Sequence, residues 1–351
     1  MTTALDATLP LDGGDLIAAI PHLLGFHPKD SLVLITLVDT ESPHIGAVLR
    51  LDLPPERHRA QMAGHVARLA AGHGAASAVA VVVGGGGSPQ ALPHRRFVAD
   101  LARTFRRSSV SLDHAIWVAE VERDIHWRCY DHRGCAGQVP DPDTSPFGVG
   151  MLVRGAVKYA SREALAATLA PDPQDALDRR ELLIDTRADA DPPTRSTVDA
   201  ALAAFTTDPP DDDPIDAYDD MVLDMFHVHA PPADNLPTLP DETLADLAVA
   251  LYDSEIRGHC QQLALTPQAP AAERLWTYLV RALPPPDRAE PACFLAVSAY
   301  LRGNGSLARV ALDIALQSRP AHTLASLLTA ALDGAMTPRE LRTILTQAGE
   351  T

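Results

Sequence analysis

Ile20–Leu37, IPHLLGFHPKDSLVLITL, decides the fold of this chain. A Pro-punctuated apolar segment gives way to the polar loop Gly25–Ser31, and then to a β-branched run that reads as a strand. A second run, Ile45–Leu51, follows Asp39–His44 at hairpin spacing. Pro54-Pro55-Glu56 opens a helix to about Gly72, with Met62, Val66 and Leu69 on one face. Ala78–Val83 is apolar without interruption, the pattern of a strand buried on both sides. After the glycine run Gly84–Gly87, a helix is expected from about Pro93 to Arg107, with Phe97, Leu101 and Phe105 at helical spacing. Leu112–Val121 and Ile125–Tyr130 read as a further strand pair. The order ββαβαββ predicts a mixed sheet with helices packed on it, an α+β or α/β domain over about residues 10–155.

Beyond Tyr130 the pattern changes. Asp131–Gly148 reads as a loop, and after it helices dominate. The spacing predicts a helical connection with an acidic, Pro-rich linker over 156–215, in which Thr206–Asp213 is an exposed breaker cluster, and an all-α domain over 216–351. Helices are expected at about Asp216–His227, Asp241–Leu263, Ala271–Leu283, Ala292–Arg302, Leu307–Gln317, His322–Leu332 and Pro338–Gln347. Within this array Leu295, Ala296 and Ala299 on one helix, Ala308, Leu312 and Ala315 on the next, and Pro320 after them fit a tetratricopeptide-like helix pair. Small residues there let two helices approach closely, and such a pair must stack on neighbours to bury its faces.

The 351 residues carry a net charge of −17, placed unevenly. Up to Gly134 there are 13 basic and 14 acidic residues; beyond it there are 16 and 32. An acidic C-terminal half repels nucleic-acid backbones and anionic membranes, so neither is expected as a partner. Four cysteines do not make a disulfide scaffold, the first residues lack the pattern of a signal peptide, and no run approaches the length of a membrane span. The expected location is the cytoplasm.

Two loops have a claim on ligand chemistry. Gly84, Gly85, Gly86, Gly87 and Ser88 follow a buried strand and precede a helix, the place where an α/β fold offers backbone N–H groups to an anion, with Arg95 and Arg96 as cationic help. The run lacks the phosphate-loop spacing, and a flexible connection is the favoured reading. His27, Asp30 and Ser31 form the second loop. An acid–base role there competes with simple turn formation by Pro28 and Asp30, which is favoured. His126, Cys129, His132 and Cys135, joined by His114, carry the donor types of a zinc site. Their spacing forms no knuckle, and an offset of three puts His126 and Cys129 on opposite faces of a strand. No metal is therefore favoured, and no cofactor is expected.

LLGFHPKDSLVLITL, the strand end Arg50-Leu51-Asp52-Leu53-Pro54, the strand Ala115–Glu120, the region Trp127–Cys135, SREALAATLAP, and ARVALDIALQSRPAHTLASLLTAA over Ala308–Ala331 together resemble a bacterial family. It is the family called domain of unknown function 4192, found mainly in actinobacteria, and the resemblance runs nearly the full length. It implies no activity, cofactor or catalytic residue. Since no nucleophile, base and orienting group assemble from the sequence, the expected function is a non-enzymatic, intracellular interaction protein binding protein or peptide through its helical domain. The alternative is a small-ligand or nucleotide-binding protein, or an enzyme, with its site in the N-terminal domain.

Overall fold

A computed structural model of the chain describes residues 13–38, 44–132, 134–153, 157–188, 193–206, 236–334 and 336–349. It divides into two compact units, Met1–Arg162 with Gly334–Thr337, and Glu163–Asp333 with Pro338–Thr351. Among the described residues no helix is long and apolar enough to cross a membrane.

The first unit contains α1 (Gly13–Leu24), β1 (Ser31–Val38), β2 (His44–Asp52), α2 (Arg59–Gly72), β3 (Ser77–Val83), α3 (Arg95–Phe105), β4 (Ser111–Val118), β5 (His126–Cys129), β6 (Ala136–Gln138) and α4 (Pro146–Val153). The segment ahead of the polar loop is thus the end of a helix, although Pro21 lies inside it. An internal proline costs a helix about 3 kcal/mol. Burial of Leu16 through Leu24 on every side of α1 offsets that cost.

The six strands lie in the order β2-β1-β3-β4-β5-β6. Only β3 and β4 run parallel, joined through α3, so the sheet is mixed. Its central strands are covered on both faces. Leu32, Leu34, Ala78, Ala80, Val82, Ala115 and Trp117 alternate onto the face carrying α2 and α3, where Val66, Phe97, Leu101 and Phe105 meet them. The intervening Val33, Ile35, Val79, Val81 and Ile116 are equally buried on the opposite face. This explains why β3 reads as an unbroken apolar run.

Between Ile35 and Leu37 the β1–β2 register shifts, so that Gly46 and Ala47 both face Thr36. The buried Thr36 hydroxyl donates to Ala47 O at 2.9 Å and accepts from Ala47 N at 2.7 Å, satisfying the groups that the bulge would orphan. A Cβ on Gly46 would lie 2.8 Å from Thr36 Oγ1, which is why that position is a glycine.

The stretch expected as a loop over Asp131–Gly148 holds β6 and the start of α4. Strand β6 has only three residues and no apolar alternation to reveal it. What fixes it is Gly137, whose missing side chain leaves room for the Trp127 indole, 3.0 Å from where a Cβ would stand.

The second unit is helical, with α5 (Arg162–Ala167), α6 (Gln174–Ala188), α7 (Arg195–Ala204), α8 (Asp241–Ala250), α9 (Ser254–Gln262), α10 (Ala269–Ala282), α11 (Ala289–Leu301), α12 (Gly305–Ser318), α13 (Thr323–Asp333) and α14 (Pro338–Gly349). Helix α11 is buried along its whole length, and Phe294 packs on Trp276 of α10 with ring centroids 5.0 Å apart. The close pair α11–α12 buries Leu295, Ala296, Ala299, Ala308, Leu312 and Ala315. The single helix expected over Asp241–Leu263 is two. The Asp253 carboxylate accepts from Glu255 N and Ile256 N, capping a new helix after the chain turns at Leu251–Asp253. The linker beyond Thr206 and the helix expected at Asp216–His227 lie outside the described residues.

Candidate functional site

Register brings the two candidate loops together. Ser31 stands opposite Val83, so the start of β1 and the end of β3 share one end of the sheet. Gly84, Gly85 and Gly86 have φ of 77°, 78° and 73°, left-handed backbone that glycine adopts readily. Gly84 N donates to Val118 O and Gly84 O accepts from Trp117 Nε1. Gly85 N, the donor a bound anion would use, is already given to Asp30 Oδ1 at 2.8 Å. The chain's own carboxylate sits on the glycine loop, and a Cβ on Gly84 would meet that oxygen at 2.7 Å.

The remaining residues of this end are also engaged. The buried Ser31 hydroxyl donates to Lys29 O and accepts from Arg50 Nε at 2.8 Å. Gly87 is pressed against Pro93, and Ser88 and Ala91 close a short bridge between them. Arg96 pairs with Glu56 at 2.7 Å on the surface, while Arg95 is exposed at the start of α3. His27 bonds the Val121 main chain. Its burial, with the charge of Lys158, holds its pKa below the ordinary value. His22 is more deeply buried; its Nε2 lies 2.9 Å from Pro142 O, and burial depresses its pKa as well.

A different constellation forms where β4, the end of β5 and the loop before β6 meet. One donor atom each from His114, Cys129 and Cys135 lie within 4.8 Å of one another. His132 joins them: its ring bonds the Cys129 sulfur and stands 6.4 Å from the His114 ring between centroids. The backbone builds this loop, since Cys129 N donates to Cys135 O at 2.9 Å and Cys135 N to His132 O at 3.1 Å. His126 is excluded. It is exposed at the other end of β5, opposite Gln138, with Cys129 buried on the far face. The strand end read from sequence as polar with one buried thiol therefore holds four soft donors.

The electrostatics at this loop favour a thiolate. Burial opposes ionisation of Cys129, but hydrogen bonds from His114, from Asp131 and His132 N–H, and from the His132 ring outweigh it and bring the thiol down to about 6. Bonding to that sulfur raises the pKa of His114 against the effect of burial. Burial and then the Cys129 charge push Cys135 up to about 11. The sequence names His114 as a candidate donor, but its approach to Cys129 carries no local signal. It is fifteen residues from Cys129 and reaches it because β4 and β5 pair with Ile116 opposite Cys129.

The helical unit holds a second cysteine–histidine pair. Cys293 Sγ lies 3.8 Å from both His322 ring nitrogens. Ala325 N donates to His322 Nδ1 at 3.2 Å, so the ring proton sits on Nε2, 3.2 Å from Glu290 Oε1. Beside Glu290 a cavity of about 210 Å³ opens, with Ala248 and Leu251 as its apolar lining and Tyr252, Arg257, Asp287, Glu290 and Arg319 as its polar one. Arg319 reaches Glu290 at 3.3 Å, and the Tyr252 hydroxyl donates to Asp287 at 2.9 Å. Burial raises the Asp287 pKa. Tyr252 is half exposed, which leaves its ring at the mouth.

No curated protein and no solved structure matches the chain. The model of one family, described as Domain of unknown function (DUF4192), matches residues 14–339, which takes in strands, glycine loop, cysteine loop and helical cavity alike, and the chain belongs to that family.

Proposed function

We propose that this chain is a non-enzymatic, intracellular interaction protein whose helical unit binds protein or peptide. The observation that carries this reading is the Tyr252–Arg257–Asp287–Glu290–Arg319 cavity. It offers two guanidinium groups and two carboxyl groups beside an exposed aromatic ring. Such a lining suits a partner group of little net charge that both donates and accepts hydrogen bonds, as a peptide side-chain amide or a peptide terminus with its neighbouring N–H does. The tetratricopeptide-like pair α11–α12 belongs to the same reading, as the rigid support from which Glu290 projects. Neither the acidic C-terminal half nor the cavity suits a nucleic acid.

Peptide display on the intact protein, followed by calorimetry on the enriched sequences, tests this proposal. Binding weakened tenfold or more by Arg319→Ala and by Tyr252→Ala is expected. Absence of enriched peptides, or equal binding by the variants, counts against it. A second reading, a small anion or nucleotide at the sheet end, draws on the contact between Asp30 and Gly85. It requires Asp30 to yield its place, so a nucleotide panel on wild type and Asp30→Asn, silent for both, removes it.

A further inference from the structure

We propose that Cys129, Cys135, His114 and His132 together bind one zinc-class divalent cation that ties the β5–β6 loop to β4. The donor set is the soft sulfur–nitrogen kind that selects zinc over magnesium or calcium. Two thiolates and two neutral imidazoles around a divalent ion leave no net formal charge, a requirement for a site whose first thiol is buried. Binding releases one proton for each cysteine that was still a thiol, and each proton passes to buffer.

The geometry needs little adjustment. Tetrahedral zinc with bonds of about 2.0–2.3 Å sets its donors about 3.3–3.8 Å apart. Atoms of His114, Cys129 and Cys135 already lie within 4.8 Å of one another, so a contraction of about 1–1.5 Å brings these three to bonding distance, while His132, outside that group, has to swing in. The two N–H groups of Asp131 and His132 point at the Cys129 sulfur from within the loop itself. Oriented backbone donors of this kind hold a ligand thiolate in place and lower the cost of its charge. The His132 ring, exposed on the loop and hydrogen-bonded to the Cys129 sulfur, would move in to supply the fourth donor from the solvent side.

Two other uses of these residues fit less well. A Cys129–Cys135 disulfide needs an external oxidant and gives His114 and His132 no role. A nucleophilic Cys129–His114 pair needs access, but Cys129 is 3% exposed.

The test is metal analysis of the full-length chain purified without chelators, followed by cobalt titration of the stripped protein. About one zinc per chain and the visible bands of tetrahedral cobalt with thiolate charge transfer are expected. Cys135→Ser should weaken cobalt binding at least tenfold and remove much of the charge-transfer intensity. His132→Ala, at an exposed position, should weaken it without affecting the fold, and His126→Ala should leave it unchanged. The proposal is overturned by wild-type protein that shows no tetrahedral cobalt spectrum, by a Cys129–Cys135 disulfide in freshly purified chain, or by equal effects of His126→Ala and His132→Ala. If Cys135→Ser does not fold, the wild-type spectrum and the two histidine variants still decide the matter.

Discussion

Cys129 with His114 and Cys293 with His322 are the same two residue types placed side by side in two units, yet their chemistry is opposed. Cys129 receives N–H groups from its own loop and imidazoles from two sides, and its thiol falls to about 6. Cys293 is fully buried on α11, and burial, followed by the nearby Glu290 charge, pushes its thiol far up. His322 has both nitrogens committed, one to the α13 backbone and one to Glu290. A histidine beside a cysteine therefore decides nothing. The donors aimed at the sulfur decide, and so do the other duties of the ring.

The contrast predicts an inversion in the metal-stripped protein. His322→Ala removes a buried ring, the helix cap at Ala325 and a partner of Glu290, and should lower unfolding free energy by about 3 kcal/mol. His114→Ala, at a half-buried strand position, should cost about 1 kcal/mol in the same denaturant melts. Comparable losses would erase the distinction between a structural and a ligand histidine.

Alkylation gives the next largest difference. In stripped native protein at neutral pH, modification should reach Cys135, the partly exposed thiol of the loop, about tenfold faster than the fully buried Cys293 or Cys260, and accessibility sets this order because all three thiols have raised pKa values. Peptide mapping by mass spectrometry reads the order directly, and early modification of Cys293 would contradict it.

His22 sharpens the comparison from a third side, as a buried histidine facing no thiol. Its folded pKa lies below 6.5, so as pH falls the unfolded chain takes up the proton first and stability drops. The contribution is complete above pH 6.5 and is lost as pH falls through the folded pKa, at no more than about 1.4 kcal/mol per pH unit. His27 acts in the same direction but less, being screened by solvent. Denaturation midpoints at pH 7 and pH 5.5 should show the fall, and His22→Gln should flatten it.

Elements whose period agrees with their burial were legible in the sequence. The apolar run of β3 and the Phe97–Leu101–Phe105 spacing of α3 needed nothing from elsewhere in the chain. Elements fixed by remote partners were not. Helix α1 hides behind Pro21, β6 exists because Trp127 needs Gly137, and α6 shows little apolar periodicity. Its Arg180 is instead held by Asp172, Asp241 and Ala282 O. The candidate sites divide in the same way. That the two N-terminal loops meet follows only from the Ser31–Val83 register, and that His114 reaches Cys129 follows only from the pairing of β4 with β5. Residue types could be read from the chain, but their convergence is a property of the sheet.

The bulge opposite Thr36 has a consequence for the behaviour of this protein in crowded solution. Strand β2 is the long outer strand of the described sheet, and a flat nine-residue edge would template the addition of a foreign strand. The two-for-one step at Gly46 and Ala47 puts a kink in that edge, and Arg50 and Asp52 place charges along its end. The opposite edge is only three residues long. Both flanks of the sheet are thereby poor seeds for fibrous aggregation, and filling the kink by Gly46→Val would both crowd Thr36 and expose the chain to that hazard.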